Sequence, residues 1–190
     1  MVVFLAGLLS FLALHSIRVV APAWREQKIS SWGLSRYKGI YSLLALASFV
    51  LLIWGYGLAR QTPTLVWVPP RGLRHFAALL TIPAIVLLVA AKGPNNHFRA
   101  RLKHPTLLAV KLWAFAHLFV GMWLHSLLLF AAFLIWAIVD FRSARRRGSA
   151  SAEPPPTMAA TAITLVVGLA VWAAFAFHGH AWLIGVAPFG

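Results

Sequence analysis

Six runs of predominantly apolar residues alternate with polar connections along the 190-residue chain. Each run approaches the roughly 20 residues that an α-helix needs to cross the hydrocarbon core of a bilayer. The runs cover residues 2–20, 39–59, 73–91, 106–120, 126–139 and 158–177. The fourth and fifth runs are short, and a tight turn, GMWLHS, joins them. The pattern predicts an all-α polytopic membrane protein with about six transmembrane helices, which form one domain over residues 1–190.

Residues 142–157 differ from the other connections, because a run of arginines is followed by three prolines. This composition predicts a linker ahead of the last span. The whole chain is 61% hydrophobic and only 11% charged, a balance that a soluble domain of this length could not bury. There is no cysteine, so disulfides, thiolate metal sites and cysteine-attached haem are excluded.

The basic residues, which give a net charge of +14, are unevenly divided between the connections. Thirteen lie in the first, third and fifth connections: Arg18, Arg25, Lys28, Arg36, Lys38, Lys92, Arg99, Arg101, Lys103, Arg142, Arg145, Arg146 and Arg147. The second connection carries only Arg60, Arg71 and Arg74. By the positive-inside rule, the thirteen are cytoplasmic and both termini are periplasmic. This distribution favours anionic lipid headgroups over nucleic acid as the partner of the positive charge.

Two histidines, His15 and His117, lie deep in predicted spans, where an ionisable group is costly and is therefore a candidate functional residue. No Asp or Glu lies deep in any span, so paired-carboxylate catalysis and a Ser-His-Asp triad lack support. Two neutral imidazoles suit the axial positions of a haem iron, and Arg18, one turn from His15, could meet a haem propionate. The residues alone leave two alternatives open: a haem site, or two unrelated structural histidines.

The stretch HPTLLAVKLWAFAH begins at His104 and ends at His117. Pro105 favours a helix start there, and the 13 intervening steps place the two histidines about 220° apart on the helix. Lys111 shares the face of His104, from which its side chain can reach the cytoplasmic headgroups. The remaining histidines are expected to be solvated or at headgroups: His75, His97, His125, His178 and His180. The last two form an HxH pair, which we expect to be an ordinary surface pair.

Three runs, FLALHSIRVVAPAWR, RYKGIYSLLALASFVLLIWGYGLAR and LKHPTLLAVKLWAFAHL, resemble the NnrU family of bacterial membrane proteins. The resemblance covers at least residues 4–142. It implies an inner-membrane protein linked to denitrification, through the expression or function of nitrite and nitric oxide reductases. The family is also similar to the zeta-carotene isomerase, a membrane enzyme that uses haem b. The histidine ligands of that enzyme correspond to His15 and His117, and His104 matches a further shared histidine, which is the alternative ligand.

The resemblance therefore implies a haem b protein with His15 and His117 on the iron and Arg18 beside the cofactor. Nitric oxide is the small-molecule partner expected for a denitrification role. One alternative is a haem-dependent carotenoid cis–trans isomerase acting on an apolar polyene, and another is a structural membrane protein without a cofactor. Catalytic residues and oligomeric state are left unassigned.

Overall fold

The computed structural model describes residues 1–148 and 154–189, and the described part is almost entirely helical. Its α-helices are α1 Val2–Val20, α2 Pro22–Trp32, α3 Leu34–Ala59, α4 Gly72–Lys92, α5 His97–Leu102, α6 Pro105–Leu118, α7 Leu124–Arg147, α8 Met158–Ala174 and α9 His180–Ile184. A π-helical turn, Phe175–Gly179, joins α8 to α9. No β-strand is present in the described residues, apart from one isolated bridge between Leu65 and Trp123. The predicted all-α class is confirmed.

Five helical segments are long and apolar enough to cross a membrane: Val2–Val20, Leu34–Ala59, Gly72–Lys92, Leu124–Arg147 and Met158–Ile184. The helix Pro105–Leu118 is apolar but shorter. Many large apolar side chains on these segments are exposed, Val2 and Trp182 by more than four-fifths. Such a surface is expected of a chain whose outer face is covered by lipid. The prediction of a polytopic membrane protein is confirmed.

Residues 142–147, which the sequence predicted as the start of a linker over residues 142–157, are helical. Helix α7 continues to Arg147, so the arginine run forms its last turn. Positive side chains there are favourable, because the carbonyl end of a helix carries partial negative charge. Residues 149–153 of the predicted linker lie outside the described residues.

The chain divides into two compact units. Unit 1 consists of residues 1–66 and 123–129, and unit 2 of residues 67–122 and 130–190. The single domain expected over residues 1–190 stays a prediction.

In unit 1, helices α1 and α3 pack backbone against backbone at two glycines. A Cβ atom added to Gly7 would lie 2.5 Å from the backbone nitrogen of Leu52. A Cβ atom added to Gly55 would lie 2.5 Å from the Cα atom of Phe4. Only a residue without a side chain permits this approach, which is the usual way that membrane helices gain close packing.

In unit 2, α4 packs against both α6 and α8. A Cβ atom added to Gly168 of α8 would lie 2.9 Å from the Cα atom and from a methyl group of Val86 in α4. On the α6 side the buried residues are small: Ala109, Ala114 and Ala116. In unit 2, α4 therefore lies between α6 and α8 in the packing. The histidines described next lie at the end of α6 and at the start of α9.

Candidate metal-binding histidines

His117 is the last residue but one of α6, and its ring is fixed by the helix itself. Its Nδ1 lies 2.7 Å from the backbone carbonyl oxygen of Trp113, one turn earlier. A carbonyl oxygen only accepts, so Nδ1 carries the hydrogen and the neutral ring presents its lone pair at Nε2. This is the arrangement by which proteins orient a metal-ligating histidine.

Aromatic rings surround the His117 imidazole. The ring of Phe130 lies 4.6 Å away and that of Trp113 lies 5.4 Å away, measured between centroids. Trp113 in turn packs edge-on against Phe130 at 5.1 Å and Phe133 at 5.7 Å. The His117 ring is therefore held by packing as well as by its hydrogen bond.

The imidazole that lies beside that of His117 belongs to His180, the first residue of α9. The two ring centroids are 6.4 Å apart and the ring planes differ by only 20°. The HxH pattern predicted an ordinary surface pair, but only His178 is exposed, whereas His180 is half-buried and lies beside His117. The π-helical turn Phe175–Gly179 accounts for the difference, because its wider winding shifts the register of every residue that follows it.

His180 is oriented by the chain that follows it. Its Nδ1 lies 2.7 Å from the backbone carbonyl oxygen of Val186, so its lone pair is also at Nε2. Phe175 lies edge-on to the His180 ring, with the centroids 5.6 Å apart. A Cβ atom at Gly179 would lie 2.9 Å from the Phe175 ring, so a larger residue there would displace that ring.

His15, in unit 1, repeats the local geometry of His117. Its Nδ1 lies 2.8 Å from the carbonyl oxygen of Phe11, one turn earlier, and the Phe11 ring stacks on the imidazole at 4.1 Å. Tyr41 of α3 lies edge-on at 5.9 Å. Arg18 lies in the last turn of α1 and is exposed. Because His15 belongs to unit 1 and His117 to unit 2, their predicted pairing on one iron stays a prediction.

His104, the alternative ligand, lies at the opposite end of α6 from His117. It precedes Pro105, the first helical residue, as predicted. Thirteen residues of helix separate the two histidines by about 20 Å, so they cannot share one metal ion. The ring of Phe141 lies edge-on to His104 at 6.1 Å, and the Lys111 ammonium lies 3.7 Å above the same ring. Burial, aided by the charges of nearby arginines, lowers the pKa of His104 and favours its neutral form.

His125 was expected to be solvated or at the headgroups, but it is buried. The side chain is only 2% exposed and lies edge-on to Tyr56, with the centroids 5.1 Å apart. Its Nδ1 has no hydrogen-bond partner among the described residues. The neighbouring Ser126 is paired with the Tyr56 hydroxyl at 2.9 Å. The segment between α3 and α4 lies next to the start of α7, because the backbone N–H of Leu124 donates to the carbonyl oxygen of Thr64. No local sequence pattern predicts this contact.

In residues 1–148 and 154–189, no group of three or more His, Asp or Glu side chains is arranged to hold a metal ion. A metal-centred group would therefore depend on one or two imidazoles. The sequence model for the family described as NnrU protein matches residues 3–188, nearly the whole chain. The chain belongs to the NnrU family. No curated protein and no solved structure matches the chain significantly.

Within the NnrU family model, all three oriented histidines lie inside the matched region: His15, His117 and His180. Family membership and the helical segments together make the chain a multi-pass membrane protein of the NnrU type.

Proposed function

We propose that this NnrU-family chain is a haem b protein of the bacterial inner membrane, that His117 would bind the iron, and that the protein supports denitrification. The observation that carries the proposal is the state of the His117 ring. The helix carbonyl of Trp113 fixes Nδ1 as the donor, so Nε2 is the atom that can bind a metal.

The donor set of the chain fits haem b. Cysteine is absent, which leaves imidazole as the natural axial ligand, and haem b requires no thioether attachment. For the second axial position the sequence resemblance selects His15, whose Nδ1 is held by the Phe11 carbonyl in the same way. Arg18 supplies a positive charge one turn from His15, suited to a propionate.

When bound, haem b would supply a redox-active iron that can take a diatomic ligand such as nitric oxide. The role of the chain is to present Nε2 of each imidazole in a fixed tautomer. The rings of Trp113 and Phe130 pack against the His117 imidazole, and Phe133 packs against Trp113 in turn. The denitrification role is supported by the family resemblance, and both termini are proposed to be periplasmic on the charge distribution.

The experiment is a haem titration of the purified protein, followed by absorption spectroscopy in the oxidised and reduced states. Wild-type protein should bind one haem and give a six-coordinate low-spin spectrum. His117→Ala should lose the haem or become five-coordinate, and His15→Ala should do the same if it is the second ligand. His104→Ala is the matched control, because this residue lies at the other end of the same helix, and its spectrum should be unchanged.

Two other functions give different results in the same preparation. A structural protein without a cofactor would show no Soret band at any haem concentration, which would overturn the proposal. A carotenoid isomerase would bind haem identically but would convert a cis-polyene when the iron is reduced. Incubation with a cis-carotenoid, with the products separated by chromatography, distinguishes this activity from the denitrification role.

A further inference from the structure

His117 and His180 are neighbouring imidazoles, and in each of them a hydrogen bond to the backbone occupies Nδ1. Each ring donates its Nδ1 hydrogen to a backbone carbonyl 2.7 Å away, that of Trp113 for His117 and that of Val186 for His180. Each neutral ring therefore has its lone pair at Nε2. Both rings belong to unit 2, and the centroids are 6.4 Å apart.

The separation of the rings indicates which ion they would hold. With a metal–nitrogen distance of about 2 Å, an ion lies about 3 Å from the centroid of each ring that binds it. Two imidazoles on opposite sides of the ion then have centroids about 6 Å apart, whereas two tetrahedral ligands have centroids about 5 Å apart. The observed centroid separation of 6.4 Å is closer to the value for ligands on opposite sides of the ion than to the tetrahedral value.

The backbone around His180 is specialised. The π-helical turn Phe175–Gly179 directly precedes it, and such turns are rare and concentrate at functional sites. Phe175 packs edge-on against the His180 ring, and a Cβ atom at position 179 would lie 2.9 Å from the Phe175 ring. An ordinary α-helix would place residue 180 on a different face of α8. The local geometry therefore directs this imidazole toward His117.

We propose that His117 and His180 bind one copper(II) ion through their Nε2 atoms, on opposite sides of the ion. Copper(II) favours square-planar or tetragonal arrangements of nitrogen and oxygen ligands, whereas zinc favours a tetrahedron. Copper(II) also binds imidazole more tightly than any other divalent first-row ion. With two protein nitrogens, the remaining coordination positions belong to water, so the site is open to exchange.

This site is distinct from the haem site of the proposed function but shares His117 with it. One Nε2 holds one metal at a time, so copper and haem iron exclude each other at this residue. Copper binding to the haem-free chain does not depend on whether haem is the natural cofactor. A negative haem titration therefore does not contradict the copper site, and a negative copper titration does not contradict the haem site.

The experiment uses the full-length chain, purified in detergent without added haem and treated with a chelator. Copper(II) is added, and binding is followed by calorimetry and by electron paramagnetic resonance. Wild-type protein should bind one equivalent and show splitting from two nitrogens. His117→Ala and His180→Ala should each weaken binding by more than about 100-fold, because loss of an outer-shell partner alone costs about 10–100-fold.

His178→Ala is the matched control, since it removes an exposed histidine two residues from His180 and should leave copper binding unchanged. His180→Phe keeps an aromatic ring beside Phe175, so it separates loss of a ligand from loss of packing; it should also abolish binding. The proposal is overturned if His180→Ala and His180→Phe bind copper like wild type. It is equally overturned if His178→Ala loses binding, which would identify the HxH pair as the ligands, or if the wild-type spectrum shows one nitrogen only.

Discussion

The histidines of the two units share one local design and differ in what surrounds it. In both His15 and His117, Nδ1 is held by the carbonyl oxygen four residues earlier, and an aromatic residue, Phe11 or Trp113, occupies that earlier position. The phenol of Tyr41 also lies beside His15. The ring of Phe130 and a second imidazole, that of His180, also lie beside His117. The shared hydrogen bond leaves the lone pair of each neutral ring at Nε2, which is the atom that the haem proposal assigns to the iron.

The two units also differ in how their helices approach each other. In unit 1, added atoms at Gly7 and Gly55 would meet the backbone of the facing helix. In unit 2, an added atom at Gly168 would meet Val86, whose side chain forms part of the contact. A substitution cannot remove backbone atoms, but it can shorten the side chain of Val86. Unit 1 should therefore tolerate less change than unit 2.

Reporter fusions test the orientation of the two units separately, with an all-or-none readout. A phosphatase that is active only outside the cytoplasm, fused at the N-terminus of unit 1 or at the C-terminus of unit 2, should be active in both cases. The reason is the concentration of basic residues on the alternate connections. An inactive fusion at one end, with a cytoplasmic reporter active there, would show that the unit concerned has the opposite orientation.

Gly55→Ala should destabilise unit 1 by about 3 kcal/mol, because its new methyl group would overlap the Phe4 backbone. The matched control is Gly57→Ala, two residues away, where an added Cβ atom has nothing within 4 Å. That control should lose no stability, since alanine is the better helix former. Thermal unfolding followed by circular dichroism measures both. Equal midpoints for the two variants would contradict the close α1–α3 packing.

Gly168→Ala should cost unit 2 less, about 1–2 kcal/mol, and part of the loss should be recoverable. Val86→Ala removes one of the atoms that the new methyl group would meet, at 2.9 Å. The double variant should therefore be more stable than the sum of the two single effects predicts. The four proteins of this cycle are compared by thermal unfolding. Strict additivity would mean that Gly168 and Val86 are not in contact.

Lys111→Arg should have the smallest effect, a change within about 0.5 kcal/mol. Arginine keeps the positive charge above the Phe141 ring and the reach toward the headgroups. Phe141→Leu removes the ring and should cost about 1 kcal/mol. Membrane insertion and haem content are measured for both variants. Loss of haem from Lys111→Arg, with normal insertion, would place Lys111 at the functional site rather than at the headgroups.

Hydropathy and charge were enough to predict the helical class and the general position of the spans, because lipid allows little else for long apolar runs. The start of α6 at Pro105 followed from local chemistry. The end of α7 did not, since the run from Arg142 to Arg147 is as compatible with a loop as with a helix end. Local sequence can identify a helix start more readily than a helix end.

The candidate site was predictable only in part. His117 could be chosen from its depth and from the absence of acidic partners. The contact with His180 depends on a π-helical turn and on a hydrogen bond to Val186, neither of which has a sequence signature. The burial of His125 likewise depends on a distant segment that returns at Thr64. Contacts between residues far apart in the chain are decided by packing, not by periodicity.

Whether His117 binds haem b in this chain is tested by a reduced-minus-oxidised difference spectrum. It is recorded on membranes of cells that express the wild-type chain, His117→Ala or His104→Ala at equal levels. If His117 binds the iron, the sharp bands of a low-spin haem b should appear with the wild type and His104→Ala and should be absent with His117→Ala. Bands of equal height in all three, or in none of them, would contradict it.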